Sequence, residues 1–89
     1  MDLYKIIGKA IRTLRREKKL SQLIICNRSG LNLSYYCEIE RGNANPSIKK
    51  LYSILLALEV TPSQFAEALS AAIDGQTPSD TEDSDKSSA

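Results

Sequence analysis

The fold is decided by residues 21–42, which read SQLIICNRSGLNLSYYCEIERG. Ser21 and Asn32 are residue types that cap helix N-termini, because a short polar side chain can accept a hydrogen bond from the first free backbone N–H groups. Gly30 and Gly42 suit the left-handed backbone conformation in which many helices end. The stretch therefore predicts two short helices joined by a tight turn, with apolar Leu31 packed into the core just after the first glycine.

One further helix is predicted before this pair, and two are predicted after it. Apolar residues at spacings of four and three form one stripe along the first segment, which indicates an amphipathic helix capped by Asp2. Ser47 suits the cap of a fourth helix, and the run 61–64 (TPSQ) combines an N-cap, a proline at the first helical position and a capping box. The five predicted helices span residues 3–18, 22–28, 33–41, 48–58 and 62–73. Because no strand-like alternation occurs, the sequence predicts an all-α fold.

Composition narrows the function classes. Eighty-nine residues make one domain, and no apolar run approaches the roughly 18 residues of a membrane span. Lys5 and Lys9 interrupt the first apolar stretch, so no signal core is expected and the predicted location is the cytoplasm. The chain has no histidine and two cysteines, Cys26 and Cys37, which are expected to be reduced thiols. We expect no metal site, no cofactor and no enzymatic activity, since four Cys/His zinc ligands and a Gly-rich phosphate loop are both missing.

Charge divides the chain into two parts. Residues 1–73 hold eleven Lys/Arg and six Asp/Glu, whereas residues 74–89 hold one lysine and five acids. The basic part is suited to a polyanion. The rest has no large apolar side chain and is predicted to be a disordered acidic tail, which would serve solubility or compete with DNA for the basic face.

Several short motifs follow one another along residues 6–67. They are Ile7-Gly8, Ile11-Arg12-Thr13-Leu14-Arg15, Ser21-Gln22, Ser29-Gly30-Leu31, Ser34-Tyr35, Glu38-Ile39-Glu40-Arg41-Gly42, Asn45-Pro46-Ser47, Leu55, Ala57-Leu58-Glu59-Val60 and Phe65. In this order they resemble the lambda-repressor-like, or XRE-type, helix-turn-helix family of DNA-binding proteins. The resemblance implies a compact five-helix domain over residues 1–73, with its helix-turn-helix at about 21–42. The second helix of that motif would enter the major groove of double-stranded DNA.

The resemblance also implies roles for individual side chains. Tyr36 and Ile39 would face inward, so the outward face of the third helix would be left for DNA. Base contacts are expected from Asn32, Leu33, Ser34 and Glu38, and phosphate contacts from Gln22, Tyr35, Arg41 and Asn45. Two alternatives stay open at this point: Glu38 could simply pair with Arg41, and Tyr35 could have a packing role. Arg15 and Glu40 are expected to form a structural ion pair between the first and third helices.

Dimerisation follows from the small footprint of one such module. Family members usually read two half-sites about one DNA turn apart. The predicted interface lies on the fourth and fifth helices, and the alternative role of its residues is the core of the monomer. It comprises Leu58, Val60, Phe65, Leu69 and Ile73. The sequence thus predicts a homodimeric, sequence-specific transcriptional regulator of a two-fold-symmetric operator, compatible with a restriction-modification controller or a phage-type repressor.

One departure from the family pattern supports a different class of function. Leu23 and Ile24 occupy positions that are usually polar in the family, while Ile25 and Cys26 fit the inward positions. Apolar side chains on an exposed surface often mark a binding site for another protein. The alternative is therefore a protein-binding helical module, such as an antitoxin or an antirepressor, with its partner at Leu23 and Ile24.

Overall fold

The computed structural model describes residues 1–75, which fold into five helices joined by short turns. The helices are α1 (Leu3–Glu17), α2 (Gln22–Ser29), α3 (Leu33–Arg41), α4 (Ile48–Leu58) and α5 (Pro62–Asp74). No strand occurs in this part of the chain, so the all-α prediction is confirmed. Helix α5 runs one residue beyond the predicted domain end at 73. Apart from residues 74 and 75, the predicted acidic tail lies outside the described residues.

Every helix begins where a polar side chain caps it. The caps are Asp2, Ser21, Asn32, Ser47 and Thr61, and each side chain accepts a hydrogen bond from a backbone N–H in the first turn of its helix. Thr61 and Gln64 complete the predicted capping box. Gly30 and Gly42 end α2 and α3 with φ of 78° and 81°, in the left-handed region that glycine adopts without a steric penalty. Local chemistry therefore sets the helix boundaries.

One hydrophobic core joins the helices. Helix α1 packs against α3 and α5, and α2 packs against α3 and α4. The largest fully buried side chains come from α1 to α4, and they are Ile6, Ile11, Ile25, Tyr36, Ile39, Ile54 and Leu58. Burial of one such aliphatic side chain contributes about 1.5–3 kcal/mol relative to leaving it in water. Because α3 is held from both α1 and α2, its orientation is fixed by the core.

Two glycines let α1 approach the C-terminal end of α3. A β-carbon on Gly8 would overlap the carbonyl oxygens of Ile39 and Glu40. A β-carbon on Gly42 would lie 2.6 Å from the Cα of Lys5. Both residues are buried. The helices therefore touch backbone to backbone here, and the N-terminal half of α1 lies beside the end of α3.

The predicted dimer interface is largely part of the monomer core. Leu58, Val60 and Phe65 are buried within the single chain, and Leu69 is half-buried against the same core. Only Ile73 keeps an exposed fraction above a third. The core role that the sequence left open thus applies to Leu58, Val60 and Phe65, and these three offer little surface to a second chain.

Within residues 1–75, no helix has both the length and the apolar character needed to traverse a bilayer.

Candidate nucleic-acid interface

The two faces of α3 have different surroundings. Tyr36, Ile39 and Glu40 point into the molecule and are 0%, 0% and 6% exposed. On the opposite side, the side chain of Leu33 is 43% exposed, and Ser34 is also exposed. The helix is therefore anchored along one face, while the face expected to contact bases is open to solvent.

Asn32 is placed at the exposed N-terminal end of α3. Its side-chain Oδ1 accepts a hydrogen bond of 3.1 Å from the backbone N–H of Tyr35, so this oxygen serves as the helix cap. The side-chain NH₂ group is not used by that bond and can still donate elsewhere. A helix N-terminus also carries partial positive charge, which favours an approaching anion.

An ion pair between half-buried Arg15 and buried Glu40 joins α1 to α3. Arg15 Nε and Nη2 donate to the two carboxylate oxygens of Glu40 at 2.7 and 3.1 Å. Arg15 Nη1 also donates to the backbone carbonyl of Leu20 at 2.9 Å, in the turn that leads to α2. The structure thus brings together Arg15 and Glu40, the residues for which the resemblance implies an ion pair. Two parallel N–H···O bonds fix the orientation of both groups, and the third bond ties the α1–α2 turn to the same arginine.

Two more donors complete the surroundings of Glu40. Tyr36 Oη donates to Glu40 Oε2 at 2.5 Å, and Gln22 Nε2 donates to Glu40 Oε1 at 3.0 Å. Burial alone would raise the pKa of Glu40, but the bonds from Arg15, Tyr36 and Gln22 outweigh it and hold that pKa below its usual value. Burial, followed by the bond to Glu40, raises the pKa of Tyr36 well above its ordinary value. The carboxylate is therefore charged and fully paired at neutral pH.

The structure places Gln22 in this internal network. Besides its bond to Glu40, its Oε1 accepts a 3.4 Å bond from Cys37 Sγ. Sequence reasoning gave Gln22 only a phosphate contact, because its partner Glu40 is distant along the chain. The backbone N–H groups of Gln22 and Leu23 have no intrahelical acceptor, since they belong to the first turn of α2. The backbone N–H of this residue is therefore available to an approaching anion, and its side-chain NH₂ keeps one N–H that the bond to Glu40 does not use.

Glu38 lies on the open side of α3 with polar neighbours. It accepts hydrogen bonds from Arg41 and, at 3.3 Å, from Asn43 Nδ2. These two bonds, that from Arg41 first, lower the pKa of Glu38. Pairing with Arg41 was the alternative left open by the sequence. Exposed ion pairs of this kind contribute little to stability, so both side chains can exchange their mutual bond for bonds to another polar surface.

Tyr35 and Asn45 are the remaining predicted phosphate contacts, and both are accessible to some degree. Tyr35 is half-buried, and the Nζ of Lys50 lies 4.8 Å from the centroid of its ring, a distance suited to a cation–π interaction. Asn45 is exposed in the loop between α3 and α4. Tyr35 therefore combines packing with access to the surface, and Asn45 is free to bind from the loop.

The outer face of α2 carries the unusual apolar pair. Leu23 and Ile24 are 55% and 39% exposed, whereas Ile25 and Cys26 are buried as predicted.

Cys26 and Cys37 are both free thiols, and burial raises the pKa of Cys26. Among residues 1–75, no three potential metal ligands cluster together.

The sequence is similar to a helix-turn-helix family and to two transcriptional regulators. Residues 8–68 match the family model described as a helix-turn-helix domain. An uncharacterized HTH-type transcriptional regulator, y4dJ of Sinorhizobium fredii, is 41% identical over 61 residues, which are 68% of this chain and 79% of that protein. The immunity repressor protein of Bacillus phage phi105 is 35% identical over 57 residues, which cover 64% of this chain and 40% of that protein.

The fold is similar to those of two restriction-modification controller proteins of known structure. The restriction-modification controller protein C.Esp1396I is 33% identical with a TM-score of 0.77, and the match covers 82% of this chain and 96% of that chain. The same controller is also known as a tetramer in complex with its natural 35 base-pair operator. The controller C.AhdI from Aeromonas hydrophila is 34% identical with a TM-score of 0.66, over 70% of this chain and 94% of that chain.

Proposed function

Because the chain belongs to the helix-turn-helix domain family, we propose that it is a sequence-specific DNA-binding transcriptional regulator and has no enzymatic activity. One observation carries the proposal: α3 is buried along Tyr36, Ile39 and Glu40, yet leaves Leu33 and Ser34 open to solvent. An anchored helix with an open face is what major-groove reading requires. The operator complex of the similar controller protein supports the same use of the fold here.

Base discrimination is assigned to the outward face of α3 and to its N-cap. Leu33 can pack on a thymine methyl group, and Ser34 can bond to several base edges. Glu38 can accept a bond from the cytosine amino group after leaving Arg41. The amide of Asn32 donates from the helix cap.

Phosphate contacts are assigned around this reading face. Arg41 and Asn45 would bind from the end of α3 and the loop after it, and Tyr35 would use its hydroxyl. Gln22 would contribute its backbone N–H at the start of α2. These contacts position the helix without specifying sequence.

The proposed assembly is a homodimer on a two-fold-symmetric operator. Since Leu58, Val60 and Phe65 are buried within one chain, the interface would rely on apolar side chains that α4 and α5 leave exposed, such as Leu56 and Ile73. Leu69 would contribute from its half-buried position. The proposed regulator is cytoplasmic, and its similarity to controller proteins and to a phage immunity repressor fits either a restriction-modification controller or a phage-type repressor.

Selection of bound duplexes from a random pool tests the proposal. We expect enrichment of a two-fold-symmetric sequence with half-sites about 10 base pairs apart, centre to centre. Ser34→Ala should change the preferred base at one position in each half-site. Ser70→Ala makes the same substitution on exposed α5 and should leave the enriched sequence unchanged. Failure to enrich any symmetric sequence would contradict the proposal.

A second function is supported by a separate observation, the exposure of Leu23 and Ile24. Two adjacent apolar side chains on α2 are suited to a protein partner, as in an antitoxin or an antirepressor. The double variant Leu23→Glu, Ile24→Lys distinguishes the two. Loss of binding to a protein partner with unchanged DNA binding would favour the second function, whereas a loss of DNA binding alone would favour the first.

A further inference from the structure

Four cations form a row on α1, away from the reading face of α3. Lys5, Lys9, Arg12 and Arg16 follow one another at spacings of four, three and four, so they share one side of the helix. All four side chains are exposed. Within residues 1–75, none of them forms an ion pair. The row extends about 16 Å along the helix axis, at 1.5 Å per residue.

The close approach of α1 to α3 adds a fifth cation to this row. Because Gly8 and Gly42 allow backbone contact, the row lies beside Arg41 at the C-terminal end of α3. The space between them is an open groove of about 500 Å³, lined by the four cations of the row, Thr13, Arg41 and Glu40. We call it the α1 basic groove.

Charge determines what this groove can hold. Glu40 is the one acidic residue among its lining residues, and its carboxylate is already bonded to Arg15, Tyr36 and Gln22. Five cations thus face one open groove whose lining contains a single acid. Such a surface attracts an extended polyanion more than a single small anion, because its charges are spread over several turns of helix.

We propose that the α1 basic groove binds the DNA sugar-phosphate backbone at phosphates beyond those reached by α2 and by the loop after α3. This inference rests on the proposed function. Helix α3 presents its N-terminal half to the bases, so its C-terminal end leads towards the backbone, and the groove begins there at Arg41. Arg12 and Arg16 lie further along the same groove and bind the next phosphates of the strand. The protein then covers more DNA than the helix-turn-helix alone would.

The test compares two double variants that remove equal charge. Arg12→Gln with Arg16→Gln removes two of the groove's cations. Lys18→Gln with Lys19→Gln removes two exposed cations just after α1 that do not line the groove; there Lys18 Nζ donates to the carbonyl of Glu59. Binding to the pool-selected duplex is measured from 50 to about 300 mM salt. Each lost phosphate contact lowers the slope of log K against log salt by about 0.9 in magnitude. Circular dichroism melting checks that both variants fold.

The groove variant should lower the slope by about 1.8 and weaken binding roughly tenfold or more near 0.1 M salt. Its preferred bases should be unchanged. The control variant should change the slope by less than half as much. Phosphate-ethylation interference should show contacts that the native protein has and the groove variant lacks. Equal and small slope changes in both variants would overturn the inference, because they would indicate only a general effect of net charge.

Other outcomes separate this inference from the proposed function. If the native protein binds no duplex at all, the proposed function itself fails. If the native protein binds but the groove variant binds as tightly or more tightly, the groove does not hold DNA. Tighter binding on removal of residues 76–89, seen in the native protein and not in the groove variant, would assign the groove to the acidic segment instead.

Discussion

Glu38 and Glu40 stand two positions apart on α3 and have opposite surroundings. Glu40 is buried and accepts hydrogen bonds from Arg15, Tyr36 and Gln22. Glu38 lies on the accessible side and shares only the exposed bonds from Arg41 and Asn43. The same residue type therefore fixes the helix at one position and can be released for recognition at the other. The difference comes from the helical period, which turns the two side chains to different faces.

The largest expected effect is on stability. Glu40→Ala leaves Arg15 and Tyr36 buried without their acceptor, so we expect the free energy of unfolding to fall by about 3–5 kcal/mol. Glu38→Ala removes only exposed bonds and should leave the free energy of unfolding close to the native value. Urea titration of both variants measures the contrast. Equal losses in the two variants would show that the buried network does not anchor α3.

Acid should reduce the stability that Glu40 contributes to the folded protein. The pKa of Glu40 is depressed in the folded state, so its contribution to stability is present above the ordinary glutamate pKa of about 4.3 and is lost as the pH falls through the lower folded value. Glu40→Gln has no such group to titrate. The gap in free energy of unfolding between native protein and Glu40→Gln should therefore narrow below about pH 4.3. A gap that stays constant from pH 7 to pH 3 would contradict the charged, paired state of Glu40.

The smallest effect on folding is expected at Glu38, where recognition should change instead. Glu38→Gln exchanges a carboxylate for an amide, and bidentate amide contacts favour adenine over cytosine. We expect the base preference at one position of each half-site to change by about tenfold, with an unchanged melting temperature. Random-pool selection with native and variant proteins measures it. Identical enriched sequences would mean that Glu38 serves only its surface bonds to Arg41 and Asn43.

Helix boundaries could be predicted from the sequence because they depend on local chemistry. Ser21, Asn32 and Thr61 cap their helices through bonds to residues only a few positions away. Gly30 and Gly42 end helices for an equally local reason. The inward positions of Tyr36 and Ile39 came from resemblance, and both are buried.

The buried network could be predicted only in part. The Arg15–Glu40 pair followed from resemblance, but the bonds of Gln22 and Tyr36 to Glu40 did not. Gln22 and Glu40 are eighteen positions apart in sequence, and no local pattern indicates which surfaces of α2 and α3 will meet. A polar residue at the start of a helix is equally suited to phosphate or to an internal carboxylate.

The roles of the apolar residues between Leu58 and Phe65 could not be predicted from the sequence. Leu58, Val60 and Phe65 are suited to a core or to a dimer interface, since both bury the same kind of surface. Which of these holds depends on how α4 and α5 are oriented, and the structure places all three in the core. Exposed Leu23 and Ile24, by contrast, were recognised from the sequence because they departed from a polar family position.

The most direct test of major-groove reading is a two-dimensional NMR titration of the isotope-labelled protein with its pool-selected duplex. The amide signals of Leu33 and Ser34 should shift most strongly, while exposed residues of α5 such as Ser70 should barely move. Large shifts confined to Leu23, Ile24 or α5, with Leu33 and Ser34 unaffected, would contradict the account.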